Sequence, residues 1–134
     1  MILSGLAFLP GCFDEVTSAS AEPIPNAGKP TGVEEGFPLF ASKQLKSGRV
    51  VWMDNCRNCH ERGVAGAPMV SDFEAWEPRI AKEKLTLYQH ALEGFFGEDD
   101  AMMPARGGNE ELTDEQVKSA VDYMVATAIY FKEN

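Results

Sequence analysis

Cys56-Arg57-Asn58-Cys59-His60 is the stretch of the 134-residue sequence that decides the fold. On a helix, residues three and four positions apart lie on one face, so the two thiols and the imidazole would point the same way. This C-x-x-C-H pattern is the attachment signature of a c-type haem, in which both thiols bond to one porphyrin edge. The sequence therefore predicts one covalent haem c on Cys56 and Cys59, with His60 as a ligand of the iron.

Three other uses of the two cysteines compete with haem attachment. A zinc site needs four ligands, and no suitably spaced fourth ligand follows His60. A thioredoxin-like dithiol belongs in a βαβ pattern, which the sequence does not show. A plain disulfide between Cys56 and Cys59 would leave the adjacent histidine without a role. Haem attachment is the favoured interpretation, and these three stay open as alternatives.

A methionine loop offers a second axial ligand for the iron. Met103 is followed by Pro104 and then by two glycines, and it lies 43 residues after His60. Such a loop can fold over the opposite face of a haem, where a thioether sulfur binds iron. The sequence predicts a His60/Met103 pair, with Met102 and His90 as alternatives. We expect His90 to lie on its own helix, exposed or hydrogen-bonded.

Local capping signals predict helices and no strands. Capping residues are expected before four helices, at Ser42, Ser71, Thr86 and Thr113. The first three helices should end near Cys59, Ala81 and Gly94, and Pro78 can kink or break the second. The last helix should bury a stripe formed by Val117, Val121, Met124, Val125, Ala128 and Ile129. Residues 94–112 are expected to form one long irregular loop, a feature that usually has a function.

The chain divides into three segments by composition. Residues 1–12 form an apolar, uncharged run that ends in Leu9-Pro10-Gly11-Cys12, which is similar to a bacterial lipobox. We read this run as an export signal and Cys12 as a candidate for lipidation. Residues 13–36 are rich in Pro, Ala and Gly and are expected to be a flexible tether. Residues 37–134 would then form a single all-α domain.

The charge balance limits the classes of partner. Twelve basic residues face 21 acidic residues, so the formal net charge is -9. Nucleic acid and anionic membrane surfaces are therefore disfavoured, because both attract basic proteins. A redox protein with a basic docking surface fits better. The acidic run Glu98-Asp99-Asp100, just before Met103, either steers such a partner or is an ordinary solvated loop.

Several segments in this order resemble the class I c-type cytochromes, and most closely the bacterial cytochrome c-five branch. They are Cys56–His60, Gly63–Pro68, Ala75–Ile80, His90–Leu92, Met103-Pro104 with Gly107-Gly108, and Ala120–Met124. The resemblance implies N- and C-terminal helices that cross, with Gly48 and Trp52 meeting Ala120 and Tyr123, around one haem. It also implies that the Pro68 carbonyl accepts a hydrogen bond from the axial imidazole. Trp76 and Arg79 would reach the haem propionates, or would instead be an ordinary packing residue and a solvated charge. The family's frequent cysteine pair after the methionine loop is missing here.

The resemblance implies a one-electron carrier of the bacterial periplasm and not an enzyme. Two alternatives stay open: an electron-relay subunit of a larger redox complex, or a haem peroxidase or gas sensor whose distal ligand leaves easily. The protein would be a monomeric domain or such a subunit, with membrane attachment through Cys12. The apolar residues expected at the haem crevice are Val64, Val70, Phe73, Leu85, Leu87 and Leu92.

Overall fold

The computed structural model describes residues 28–98 and 100–134. The predicted export segment with Cys12, most of the tether, and Asp99 lie outside the described residues. The helical elements are α1 (Lys43–Val51), a π-helical turn (Trp52–Cys56), α2 (Arg57–His60), a 3-10 turn (Val64–Gly66), α3 (Phe73–Ile80), α4 (Lys84–Glu93), a second 3-10 turn (Ala105–Gly108) and α5 (Asp114–Glu133). The strands are β1 (Gly32–Glu34), β2 (Phe37–Leu39), β3 (Phe95–Phe96) and β4 (Met102–Met103). None of the described helices is both long and apolar enough to cross a bilayer.

The crossing of α1 and α5 is the centre of the fold, and the resemblance placed it correctly. Gly48 lies so close to α5 that a Cβ on it would come within 1.9 Å of the Ser119 carbonyl oxygen. Only a glycine permits this approach, which explains a residue that otherwise costs a helix interior about 1 kcal/mol. One turn later, the fully buried Trp52 packs on Tyr123 with ring centroids 5.6 Å apart. The two helices therefore meet backbone to backbone.

Both of the crossing helices, α1 and α5, begin at the predicted capping residues. The Ser42 side chain accepts a hydrogen bond from the Leu45 amide at the start of α1. Thr113 and Gln116 form a reciprocal capping box at the start of α5. The apolar stripe of α5 is largely as predicted, with Val121 and Ile129 only partly buried against the core.

The absence of strands was a wrong prediction, because two antiparallel hairpins are present. In the first, β1 pairs with β2, so the last part of the predicted tether belongs to the fold. The hairpin packs through Phe37, whose ring lies 4.4 Å from the ring of Trp52. It is also held by the Tyr123 hydroxyl, which donates to the Pro38 carbonyl at 3.0 Å. Three-residue strands are too short to show alternation in the sequence, and these tertiary contacts stabilise them.

Two helix starts also differ from the prediction. Asp72, and not Ser71, caps α3 by accepting from the Ala75 amide, and the helix continues through Pro78 to Ile80. Pro78 lies near the C-terminal end of α3, where the donor that it lacks costs one backbone hydrogen bond. The helix is therefore not broken at Pro78. Helix α4 begins at Lys84, before Thr86, and ends at Gly94 as expected. The early start brings Lys84 to Asp122 on α5, a tertiary contact that capping signals do not contain.

That contact belongs to a buried polar network that joins three helices. Asp122 is only 1% exposed. Its Oδ1 accepts a hydrogen bond from the Tyr88 hydroxyl at 2.8 Å and lies 3.4 Å from Lys84 Nζ. Its Oδ2 accepts from the side chain of Gln44 on α1. Burial raises the pKa of Asp122, while its hydrogen-bond donors and Lys84 oppose that shift.

Candidate haem site

The C-x-x-C-H segment folds as one continuous helical stretch with a change of register. The π-helical turn ends at Cys56, and α2 carries Cys59 and His60. A π-helical turn accommodates an extra residue, which shifts the helical register between Trp52 and α2. Both sulfurs are free thiols. Burial raises the pKa of Cys56 to about 11, so this thiol is protonated at neutral pH.

The His60 imidazole is held in a defined tautomer. It is buried, and its Nδ1 lies 2.9 Å from the Pro68 carbonyl oxygen. A carbonyl can only accept, so Nδ1 carries the proton and Nε2 keeps its lone pair. Burial, together with the charge of Arg79, lowers the pKa of His60 against the opposing effect of the Pro68 bond. A neutral, oriented imidazole of this kind suits iron ligation.

Trp76 packs near His60, and Arg79 makes a hydrogen bond within its own helix. The Trp76 ring centroid is 6.2 Å from that of His60, and its indole N–H donates to the Met69 carbonyl at 2.9 Å. Arg79 Nη1 donates to the Ala75 carbonyl within its own helix. Contact of either residue with a propionate stays a prediction, and the contacts present give Trp76 a packing role.

The predicted loop 94–112 contains a second hairpin, which places the side chains of the two candidate methionines on opposite faces. Strand β3 pairs with β4 so that Phe95 lies opposite Met103 and Phe96 lies opposite Met102. Directly opposed residues share a face, and neighbouring residues on a strand point to opposite faces. Met103 therefore shares a face with Phe95 and is half-buried, whereas Met102 points the other way and is exposed. Two-residue strands leave no detectable pattern in a sequence.

We call residues 101–107, which contain Met103, the methionine segment. Two contacts bring it to the C-x-x-C-H segment. Asn55 Nδ2 donates to the carbonyls of Arg106 and Gly107, at 3.2 and 3.4 Å. On the other side, a Cβ on Gly66 would come within 2.8 Å of the Cβ of Ala101. Asn55 thus holds the turn after the hairpin next to Cys56, and Ala101 in the hairpin packs on Gly66. Sequence reasoning missed Asn55, for which adjacency to Cys56 was the only signal.

The remaining candidates are His90, as an alternative iron ligand, and the six residues predicted at the haem crevice. His90 stacks on Phe95, with centroids 4.1 Å apart and the planes inclined by 22°, so its ring is engaged in packing rather than hydrogen bonding. Of the six predicted crevice residues, Val70 and Leu87 are buried, Phe73 and Leu92 are partly buried, and Val64 and Leu85 are exposed. Their contact with a haem stays a prediction.

The donor set fits a covalent haem better than the alternatives. Across residues 28–98 and 100–134, no group of three or more His, Cys, Asp or Glu side chains could hold a metal ion. Cys56 and Cys59 form no disulfide, and both described sheets are antiparallel hairpins, unlike a thioredoxin-like βαβ unit. Two free thiols and an oriented neutral imidazole on one helical stretch are what thioether attachment and axial ligation require.

Comparisons with known proteins give the family of the chain. Residues 43–124 match the family model described as "Cytochrome C oxidase, cbb3-type, subunit III". The chain belongs to the class I c-type cytochromes. Cytochrome c-555 of Chlorobaculum tepidum is 47% identical over 79 residues, which cover 59% of this chain and 72% of that protein. Cytochrome c5 of Ectopseudomonas mendocina is 29% identical over 73 residues, covering 52% of this chain and 77% of that one.

A solved structure gives the same result for the fold. The cytochrome is similar, with a TM-score of 0.54 and 34% identity, to a chain in the "Crystal structure of electron transfer complex of nitrite reductase with cytochrome c". The match covers 61% of this chain and 94% of that one. Proteins of this family carry covalent haem c and its iron and are electron-transfer proteins rather than enzymes. The protein is therefore an electron-transfer cytochrome with the class I fold.

Proposed function

We propose that Cys56 and Cys59 form the two thioether bonds and that His60 and Met103 bind the iron of a one-electron carrier. The hydrogen bond from His60 Nδ1 to the Pro68 carbonyl, at 2.9 Å, carries this proposal. It selects the tautomer whose Nε2 can bind a metal. When bound, the haem supplies an iron that alternates between ferric and ferrous states by one electron.

The chain's own residues hold the ligands and limit access to the iron. Pro68 fixes the imidazole, and the Trp76 ring packs beside it. Asn55 donates hydrogen bonds to the turn after Met103. A soft thioether ligand and an apolar environment both favour the reduced, less charged iron, which raises the reduction potential. If His60 and Met103 both bound the iron, oxygen and peroxide would find no open site on it.

A pair of neighbouring methionine variants tests the ligand set. Met103→Ala should lose the weak red absorption band of sulfur-ligated ferric iron and should bind carbon monoxide when reduced. Met102→Ala is the matched control, because Met102 lies on the opposite face of the hairpin; it should keep the band and exclude carbon monoxide. The pyridine haemochrome spectrum of each variant reports thioether attachment separately from axial ligation.

Other results of the same experiment would overturn the assignment. Loss of the red band in Met102→Ala or His90→Ala, and not in Met103→Ala, would make that other residue the ligand. Rapid and complete carbon monoxide binding by the wild type would favour the peroxidase or gas-sensor alternative. Colourless protein from a host that matures c-type cytochromes would end the proposal for Cys56 and Cys59.

The proposal extends to the location of the protein. We place the haem domain in the periplasm and Cys12 at a lipid anchor, because Leu9–Cys12 resembles a lipobox and the apolar run before it resembles an export signal. Cys12→Ser should move the protein from the membrane fraction to the soluble periplasmic fraction. The intact mass of the mature wild type should include an acylated Cys12. Soluble wild-type protein without acyl groups would exclude the anchor.

Its partners would be redox proteins with basic docking surfaces, in keeping with the net charge of -9. The solved relative in an electron transfer complex with nitrite reductase supports a redox protein as partner. A second candidate function, an electron-relay subunit, is favoured by the family description, which names an oxidase subunit. Purification in mild detergent distinguishes the two: a carrier elutes alone at its own mass, and a subunit elutes with fixed stoichiometric partners.

A further inference from the structure

The β3–β4 hairpin has an outer face that the proposed ligand set does not use. Phe96 and Met102 lie opposite each other across the two strands and point away from the face of Phe95 and Met103. We call this pair the outer hairpin face. Phe96 is 79% exposed and Met102 is 52% exposed. Because these side chains point away from Met103, coordination by Met103 would not cover them.

An acidic turn lies beside this apolar pair. The turn that joins β3 to β4 contains exposed Glu98 and Asp100, and the sequence places Asp99 between them. Backbone hydrogen bonds shape the turn: the Gly97 amide donates to the Ala101 carbonyl at 2.7 Å, and the Ala101 amide donates to the Glu98 carbonyl at 3.1 Å. Glu98, Asp100 and the apolar pair therefore belong to one hairpin.

We propose that the outer hairpin face, together with Glu98 and Asp100, is the contact surface for a redox protein that presents an apolar patch ringed by lysine and arginine. The inference rests on the proposed electron-carrier function and deepens it. An apolar centre with a charged rim is typical of docking surfaces, and the acidic rim selects a basic partner. A second copy of this chain would bring two acidic turns together, and anionic lipid would be repelled.

The position of the surface also suits electron transfer. Met102 directly precedes Met103 on β4, so a partner seated on the outer hairpin face lies one residue from the proposed iron ligand. Phe96 is the centre of the contact, because a large, exposed aromatic side chain contributes strongly once it is desolvated. The acidic groups raise the rate of encounter, and Phe96 holds the complex during transfer.

Stopped-flow oxidation of the reduced holoprotein can separate these two contributions. Tris(1,10-phenanthroline)cobalt(III), a trication with aromatic faces, accepts one electron to become cobalt(II) and imitates a basic, apolar partner. Phe96→Ala should lower its second-order rate constant about fivefold. Val50→Ala is the control, since Val50 is 59% exposed on α1, and it should leave the rate unchanged. Glu98→Gln with Asp100→Asn should slow the reaction and weaken its dependence on ionic strength.

Hexacyanoferrate(III), an anionic oxidant without an apolar face, completes the test. Phe96→Ala should leave its rate unchanged, and the neutralised variant should react faster. Equal rates with the cobalt complex for Phe96→Ala and Val50→Ala, while spectrum and reduction potential stay those of wild type, would overturn the docking surface and leave the carrier function intact. A wild type that lacks a reversible one-electron couple would overturn the carrier function itself. Sedimentation showing a dimer that Phe96→Ala dissociates would assign the surface to a second copy instead.

Discussion

The helix crossing and the methionine segment are two regions of one small domain that are held together in different ways. At the crossing, Gly48 touches the backbone of α5, and Trp52 and Tyr123 are fully buried. The methionine segment is attached through the hydrogen bonds of Asn55, the close packing of Gly66 on Ala101 and the stacking of His90 on Phe95. The crossing should therefore control global stability, and the methionine segment should control access to the iron and to partners.

The largest expected effect is at the crossing itself. Gly48→Ala places a methyl group against the Ser119 carbonyl, so the two helices must move apart. We expect a loss of roughly 3 kcal/mol in the free energy of unfolding, at the upper end of the usual cost of overpacking. Urea unfolding of the holoprotein, followed by circular dichroism, measures it. Ser47→Ala, at the exposed neighbouring position, should stay within about 0.5 kcal/mol of wild type. An unchanged midpoint for Gly48→Ala would contradict the close contact.

A second test concerns the buried network beside the crossing. The pKa of Asp122 is raised in the folded state, so the folded protein binds this proton more tightly than the unfolded chain does. The resulting stabilisation is complete below the ordinary aspartate pKa of about 3.9 and is lost as pH rises through the raised value. A tenfold difference in proton affinity between the folded and unfolded states corresponds to about 1.4 kcal/mol in the free energy of unfolding.

The measurement compares wild type with Asp122→Asn across this pH range. Asparagine can still accept hydrogen bonds from Tyr88 and Lys84 but does not titrate. Wild type should therefore lose stability relative to Asp122→Asn as the pH rises from about 4. Glu110→Gln, at an exposed loop position, is the control and should show no comparable trend. If wild type instead gains stability relative to Asp122→Asn as the pH rises, the hydrogen-bond donors and Lys84 would outweigh burial in setting the pKa of Asp122.

Asn55→Ala should have a smaller effect, which is on how often the methionine segment opens rather than on global stability. The variant removes the donor to the Arg106 and Gly107 carbonyls, worth about 1 kcal/mol, so the segment should open about fivefold more often. Added imidazole should then bind the ferric protein about fivefold faster. Asn58→Ala is the control, because Asn58 is exposed within the same motif. Equal imidazole rates for the two variants would show that Asn55 does not restrain the segment.

The smallest effect is expected at the surface ion pair between Glu35 and Arg57. Glu35 reaches Arg57 Nη1 at 2.6 Å, but its side chain is 56% exposed. Glu35→Gln should lower the stability slightly at low salt, and the loss should disappear at high ionic strength. Thermal unfolding at two salt concentrations measures it, with Glu111→Gln as the exposed control. A salt-independent loss above about 1 kcal/mol would mean that the first hairpin contributes more to stability than the comparison implies.

The sequence by itself determined the parts of this protein that depend on local patterns. The C-x-x-C-H spacing predicted a haem segment, the capping box at Thr113 predicted α5, and the order of segments identified the family and its helix crossing. The first two signals lie within a few residues, where hydrogen-bonding geometry and helix periodicity act directly.

Only the tertiary structure decided the two hairpins, the early start of α4 and the opposite orientations of Met102 and Met103. Strands of two or three residues carry no alternation, and they form because partners distant in sequence satisfy their backbone and cover one face. The attachment of Asn55 to the turn after Met103 spans 51 residues. Contacts at that separation depend on how the chain closes on itself, which no local pattern records.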